Sequence, residues 1–139
     1  MGKQFHTSKI NNSATIVEKA ASEIADARGK AVKYDESGKL VLASTAGEAV
    51  IGIALITTGN PEGKVLAGED VDVQIKDIGQ VVAGAAIAKG AEVTTDNKGC
   101  IVTAAAGNFI IGTALRAASG AGAYIPVQIN KMGYKPSAS

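Results

Sequence analysis

Short apolar runs, separated by turns that contain glycine, make up most of this chain. Residues 70–76 alternate valine or isoleucine with polar residues, which is the pattern of a half-buried β-strand. Ile125–Ile129 repeats the alternation, and Pro126 there indicates an edge strand or an outward-facing N–H position. The pattern therefore predicts strands along most of the chain.

Two four-residue turns share the same chemistry. Asp35–Gly38 and Asp96–Gly99 each place aspartate first and glycine fourth, as in a type I turn closed by glycine. Each turn joins two apolar runs of strand length, Ala31–Tyr34 to Leu40–Ala43 and Glu92–Thr95 to Ile101–Ala104. The sequence therefore predicts two β-hairpins.

These hairpins belong to an internal repeat with a spacing of about sixty residues. The matched positions are Gly29 with Gly90, Val32 with Val93, Asp35 with Asp96, Gly38 with Gly99, Gly47–Leu55 with Gly107–Leu115, and Val73–Ile75 with Val127–Ile129. We therefore expect an all-β domain built from a duplicated β-meander. Its predicted parts are an N-terminal arm (1–14), a body (15–130, with units at about 15–77 and 80–129) and a C-terminal tail (131–139).

The segment Thr15–Arg28 fits two patterns. Thr15–Glu18 has the spacing of a helix capping box, apolar residues follow at helical spacing, and Gly29 could end the helix. On the other hand, Ile24–Gly29 resembles Ile87–Gly90 of the second unit, which favours extended chain. The sequence leaves helix and extended chain open here.

The apolar residues are mostly small. Hydrophobic residues make up 46% of the chain, but aromatic residues make up only 4% and tryptophan is absent. A core of alanine, valine and isoleucine suits closely packed sheets but buries little area per residue. We therefore expect partner subunits or another surface to complete the burial.

The formal net charge is +1, but it is unevenly distributed. Residues 1–17 and 130–139 each carry two lysines and no acid, whereas residues 18–129 carry ten bases and thirteen acids. Two lysines per end are too few for nucleic-acid tails. We therefore expect the ends to lie on an acidic protein surface.

Neither membrane crossing nor export is expected from the sequence. No run is long and apolar enough to span a bilayer. The start, Met1–His6, lacks the apolar run of a signal peptide. We therefore expect synthesis in the cytosol and no membrane partner.

Residue types that carry catalysis are scarce. His6 is the single histidine and has no acidic or nucleophilic neighbour in sequence, so neither a catalytic triad nor a histidine metal site is expected. Cys100 is the single cysteine and is interpreted as a small hydrophobe. Gly47–Gly52 and Gly107–Gly112 have the glycine spacing of a phosphate loop but lack its lysine. We therefore expect no enzyme, no cofactor and no metal.

One acidic group needs separate consideration. Glu69, Asp70 and Asp72, with Asp77 nearby, could contribute oxygen ligands to a hard cation. A solvated or partner-facing strand edge is the favoured interpretation of this group.

Four segments of the repeat carry a family resemblance: Gly29–Asp35, Ala46–Ala54, Gly84–Gly90 and Val93–Asp96. In their order and duplication they resemble the capsid cement, or head decoration, proteins of tailed bacteriophages, over about residues 15–130. The resemblance implies a small β-tulip or β-clip-like barrel on the outer surface of the phage head, made in the host bacterial cytoplasm. It also implies a homotrimer that holds neighbouring major capsid protein subunits together.

The candidate capsid contacts are basic and apolar residues at the start of the chain: Lys3, Phe5, Lys9, Ile10, Ile16 and Val17. The apolar ones are spaced as separate anchors for shallow pockets. Two alternatives remain: the base of a head fibre or other appendage, for which 139 residues leave little room, and a small β-clip ligand-binding domain. The second alternative would need a pocket lined by the few aromatic residues.

Overall fold

The structure is a computed structural model that describes residues 13–137. These residues form ten β-strands and no helix, so the predicted all-β class is confirmed. The strands are β1 (Thr15–Lys19), β2 (Ala31–Tyr34), β3 (Leu40–Leu42), β4 (Gly52–Ala54), β5 (Asp70–Gln74), β6 (Asp77–Val82), β7 (Glu92–Thr95), β8 (Ile101–Thr103), β9 (Phe109–Ala114) and β10 (Tyr124–Tyr134).

The strands form two five-stranded antiparallel sheets with the same strand order. The N-terminal sheet has the order β1-β5-β4-β2-β3, and the C-terminal sheet has the order β6-β10-β9-β7-β8. The registers also correspond, because Val32 faces Gly52 between β2 and β4 while Val93 faces Gly112 between β7 and β9. These paired positions in the central strands therefore correspond between the two sheets.

The expected closed barrel is not observed, because both sheets are open. Strands β1 and β3 are the edges of one sheet, and β6 and β8 are the edges of the other. Only single bridges, Ala20 with Leu40 and Ala83 with Ile101, connect these edges in the described chain. The edge strands β3 and β8 have only three residues each, and each is bridged to the opposite edge at one residue. One bridge does not make a ladder that closes the sheet.

The ambiguous segment Thr15–Arg28 contains no helix. It begins with β1 and continues as irregular extended chain, in which Ala20 and Ile24 form isolated bridges with Leu40 and Val65. Ala20 and Ile24 are both buried in the core of the N-terminal sheet. The extended interpretation is therefore correct, since bridges on both sides replace the hydrogen bonds of a helix.

Both predicted hairpins are confirmed, and the aspartate is responsible for the turn in each. Asp35 Oδ1 accepts the backbone N–H groups of Ser37 and Lys39, each at 2.9 Å. Asp96 accepts the N–H groups two and four residues further on in the same way, at 2.8 and 2.9 Å. The fourth residue of each turn is a glycine with φ of +82°, a conformation that side chains disfavour.

The N-terminal sheet contributes to two hydrophobic cores. Val32, Val71 and Val73 on one face pack in its own core. Ala31 and Ile53 point the other way and pack in the core of the C-terminal sheet. The second face of the N-terminal sheet therefore covers the C-terminal sheet, and we call this contact the junction.

Backbone hydrogen bonds hold the junction together. They run from Val82 N–H to Gly29 O (2.9 Å), from Ala31 N–H to Gly99 O (2.8 Å), from Gly47 N–H to Thr95 O (2.9 Å) and from Phe109 N–H to Gly47 O (3.0 Å). Since buried backbone groups need partners, these bonds fix the relative position of the two sheets.

A buried amide shapes the link between the two sheets. Asp77 starts β6 with φ of 66°, unusual for a residue other than glycine. The side-chain amide of Gln74 donates to the backbone carbonyls of the two residues that flank Asp77, Lys76 O at 3.0 Å and Ile78 O at 2.7 Å. Gln74 is only 9% exposed, so these bonds are shielded from water.

We predict that Gln74→Ala lowers the free energy of unfolding by about 1–3 kcal/mol, because it leaves two carbonyls without their donor. Gln128 is the equivalent residue of β10 but is exposed, so Gln128→Ala should change stability by about 0.5 kcal/mol or less. Urea unfolding of the two variants measures the difference. Equal losses would show that the buried amide has no special role.

Candidate functional site

The structure describes only part of the predicted capsid contact. Lys3, Phe5, Lys9 and Ile10 lie outside the described residues. Ile16 and Val17 lie in β1, which pairs with β5 and forms one edge of the N-terminal sheet. This edge is where the predicted arm joins the body.

Neighbouring residues of β1 point to opposite faces of the sheet. Ile16 lies opposite Val73 and packs against the core of the N-terminal sheet. Val17 lies opposite Asp72 and is 57% exposed. Of these two candidate contacts, Val17 is therefore the one whose side chain is available to another protein.

The acidic group beside β1 is used within the chain. Asp70 forms an ion pair with Lys19 at 2.6 Å. Glu69 accepts the backbone N–H of Leu66 at 2.7 Å, which closes the loop before β5. Among residues 13–137, no three His, Cys, Asp or Glu side chains are grouped so that they could hold a metal ion.

The cysteine and the glycine pairs have structural explanations. Burial, with a contribution from Asp96, raises the pKa of the Cys100 thiol, so the reactive thiolate is disfavoured. A Cβ at Gly52 would overlap the carbonyl oxygen of Gln74, and one at Gly112 would overlap that of Gln128. Gly52 and Gly112 therefore allow neighbouring strands to approach closely.

One surface depression bears on the ligand-binding alternative. It has a volume of about 610 Å³ and lies beside the loop before β5. The residues that line it are Gly59, Asn60, Lys64, Leu66, Glu69 and Asp70. None of them is aromatic, so the depression lacks the stacking surface that this alternative would need.

The sequence analysis missed a pair of exposed apolar side chains. Ile78 is 58% exposed and Met132 is 57% exposed. Each follows a residue with positive φ that is not glycine, Asp77 or Lys131. Ile78 and Met132 lie three residues after the matched residues Ile75 and Ile129, so they occupy corresponding positions just beyond the end of the repeat.

Glu48 is held by three donors at the end of the β3–β4 connection. Its carboxylate accepts Lys33 Nζ and the backbone N–H groups of Ser44 and Thr45, each at 2.7 Å. Burial by itself raises the pKa of Glu48, but these hydrogen bonds outweigh it and hold the pKa below the ordinary value of 4.5. Glu48 is therefore ionised in the folded protein at neutral pH.

We predict that this carboxylate contributes to the pH dependence of stability. Because its pKa is lowered on folding, its contribution is present above pH 4.5 and is lost as the pH falls below that value. Glu48→Gln should lower the stability at pH 7 by roughly 1–2 kcal/mol and flatten the decline below pH 4.5. Urea unfolding from pH 7 to pH 3 measures both effects. The exposed Glu36→Gln should leave the profile unchanged, and equal profiles for the two variants would contradict this role.

Comparison with known protein families gives one match. Residues 61–129 match the phage cement protein family. The matched region runs from the loop before β5 through β9 and into β10, so it contains most of the C-terminal sheet. The resemblance to cement proteins that the sequence indicated is thus confirmed.

A solved structure shows the same fold. The crystal structure of the head fibre gp8.5 N base of bacteriophage phi29 is similar to this chain with a TM-score of 0.62 and 19% sequence identity. The similarity covers 87% of this chain and 97% of that one. No curated protein sequence matches the chain significantly. The family match supports a structural role in a phage capsid, and the solved structure shows that the fold is shared.

The described chain was also searched for membrane-spanning helices. Residues 13–137 contain no helix with the length and hydropathy that a bilayer crossing requires.

Proposed function

We propose that this protein decorates the outer surface of a tailed-phage capsid and stabilises it by bridging neighbouring major capsid protein subunits. The observation that carries the proposal is the match of residues 61–129 to phage cement proteins. The shared fold with a head fibre base adds support. On this proposal, the protein is made in the host bacterial cytoplasm and then becomes part of the virion.

The proposed role is structural and not enzymatic. The thiol of Cys100 is disfavoured as a nucleophile, since its pKa is raised. The acidic side chains beside β1 form an ion pair and a loop-closing hydrogen bond, so they are already used in the fold. No step of the proposed function needs a metal or a cofactor.

We propose that residues 1–14 form an arm that binds the capsid, with Val17 as the adjoining contact on the body. Ordering an arm costs about 1–2 kcal/mol per residue in backbone entropy. Burying each of its large apolar side chains, such as Phe5 and Ile10, returns about 1.5–3 kcal/mol. Because the two effects nearly cancel, one arm should bind weakly.

A homotrimer would overcome this weakness. Three linked arms can bind with an avidity orders of magnitude above that of one arm. The composition of the core supports a subunit contact: apart from Leu40, Ile53, Ile101 and Ile111, its largest fully buried side chains are valines and one threonine. Burial between subunits would add apolar area at about 25 cal/mol per Å².

We also infer that the body arose by internal duplication. The equal strand order of the two sheets supports this inference, as do the equivalent pairings of Val32 with Gly52 and Val93 with Gly112. The predicted units, residues 15–77 and 80–129, contain β1–β5 and most of β6–β10.

We predict that deleting residues 2–12 gives a folded, soluble body that no longer decorates capsids. The reason is that the deletion removes most of the proposed arm, including Phe5 and Ile10, but none of the described residues. Co-sedimentation with undecorated particles measures the bound copies, and circular dichroism verifies the fold. Binding at full-length affinity would place the anchor in the body instead.

We further predict that Val17→Lys weakens decoration at least tenfold, because it places a charge in a proposed apolar contact. Ile78→Lys is the matched control, since Ile78 is equally exposed and also lies on an edge strand. The same co-sedimentation assay compares the two variants. Equal binding by both would remove Val17 from the contact.

The base of a head appendage is the second candidate function. It is favoured by the similar structure, which is itself described as the base of a head fibre. Electron cryo-microscopy of decorated particles separates the two functions. Density that ends at the body, between capsid subunits, supports a cement protein, whereas a further protein bound on top of the body supports an appendage base.

A further inference from the structure

Each of the two surfaces that meet at the junction has an equivalent surface on the other sheet. At the junction, the residues that exchange backbone hydrogen bonds are buried: Gly29, Ala31 and Gly47 on the N-terminal side, and Val82, Thr95 and Gly99 on the C-terminal side. Their equivalents are exposed or half-buried. We call Gly90, Glu92 and Gly107 the C-terminal open face, and Lys19, Tyr34 and Gly38 the N-terminal open face.

The end of the chain covers part of the C-terminal open face. Lys135 O accepts the N–H of Gly107 at 2.9 Å, as Thr95 O accepts the N–H of Gly47 at the junction at the same distance. Lys135 N–H in turn donates to Asn108 O at 2.7 Å. Residues 131–134 belong to β10, and Lys135 continues the pairing of β10 with β9 beyond Tyr134. Lys135 therefore meets Gly107 through a backbone contact of the kind that Thr95 makes with Gly47 at the junction.

Side chains reinforce this cover. Lys135 Nζ forms an ion pair with Glu92 at 2.6 Å. The rings of Tyr134 and Phe109 meet edge to face with their centroids 5.6 Å apart. Lys135 thus satisfies the backbone donor of Gly107 and the carboxylate of Glu92 on this face, and Tyr134 packs beside it on the ring of Phe109.

We propose that the two open faces can bind each other between copies of this chain, head to tail, and that residues 131–135 prevent this by occupying the C-terminal face. The junction is the template, since it shows which backbone groups of the two faces meet. A contact between two different faces leaves one face free at each end, so repetition gives open-ended chains unless the rotation between copies closes a ring. The proposal does not depend on capsid binding.

The chemistry of the open faces indicates a polar, salt-sensitive contact. Glu92 on the C-terminal open face occupies the position equivalent to Ala31 at the junction. At the junction, Ala31 donates its N–H to Gly99 O. Glu92 of one copy would therefore lie at Gly38 of the next, directly beside Lys39. Lys39 would then replace Lys135 as the cation beside Glu92, and salt should weaken this pairing.

The test is a chain that ends at Asn130, which keeps Ile129, the last buried core residue. At low salt, sedimentation velocity should show species larger than those of the full chain, with half-association at a protein concentration at least tenfold lower. Added salt should reverse the effect. If the truncated chain keeps its circular dichroism spectrum and has the same size distribution as the full chain, the proposal is wrong.

Two further variants keep the test decisive. Lys135→Glu in the full chain places two negative charges together at Glu92, so it should also promote association. This variant tests the proposal even if truncation impairs folding. Unchanged association would show that Lys135 does not block the C-terminal open face. In the truncated chain, Lys39→Glu should suppress the larger species. Lys76→Glu makes the same charge change at an exposed position outside both faces and should not. Equal association of these two variants would refute the assigned face.

Discussion

The use of both faces of the N-terminal sheet is the constraint on which the rest of the structure depends. The side chains of Ala31 and Ile53 point to one side of that sheet and those of Val32 and Val73 point to the other, so the sheet lies between two cores. Small aliphatic side chains make up most of both cores. The scarcity of aromatic residues in the composition agrees with this packing.

The same constraint explains the glycines and the junction. Strands β4 and β5, and likewise β9 and β10, approach so closely that Gly52 and Gly112 have no room for a Cβ. The sheets then align through backbone groups, with Gly29, Gly47 and Gly99 among the partners. Side chains thus fill the cores, while the backbone determines how the two halves meet.

Local chemistry made part of this fold predictable from sequence. The hairpins could be predicted because the Asp35 and Asp96 carboxylates close their turns within four residues. Strand order could not, since it depends on pairings such as Thr15 with Gln74, which no local pattern encodes. The expected barrel is not confirmed for a similar reason: alternation shows which residues are buried but not whether the two edges of a sheet join.

The candidate site was predictable to a smaller extent. Alternation along β1 separates the packed Ile16 from the exposed Val17, but the sequence analysis had left this segment open between helix and strand. Glu92 in the C-terminal sheet occupies the position that Ala31 has in the N-terminal sheet. A charged residue at this position indicates that only one of the two sheets is covered on its second face. Its meaning became clear only from the contact between the sheets.

The pairing of β1 with β5 also has a consequence for how the chain folds as it is synthesised. The first strand must wait until residue 74 has been made before its ladder can form, and β6 must wait for β10 in the same way. Contacts this distant in sequence slow folding, because the loop between them must close first. Between the two events, Ala31 and Ile53 face water on a nascent chain, and such apolar surfaces favour aggregation. The rate at which the second half is synthesised and folds therefore sets how long that face remains uncovered.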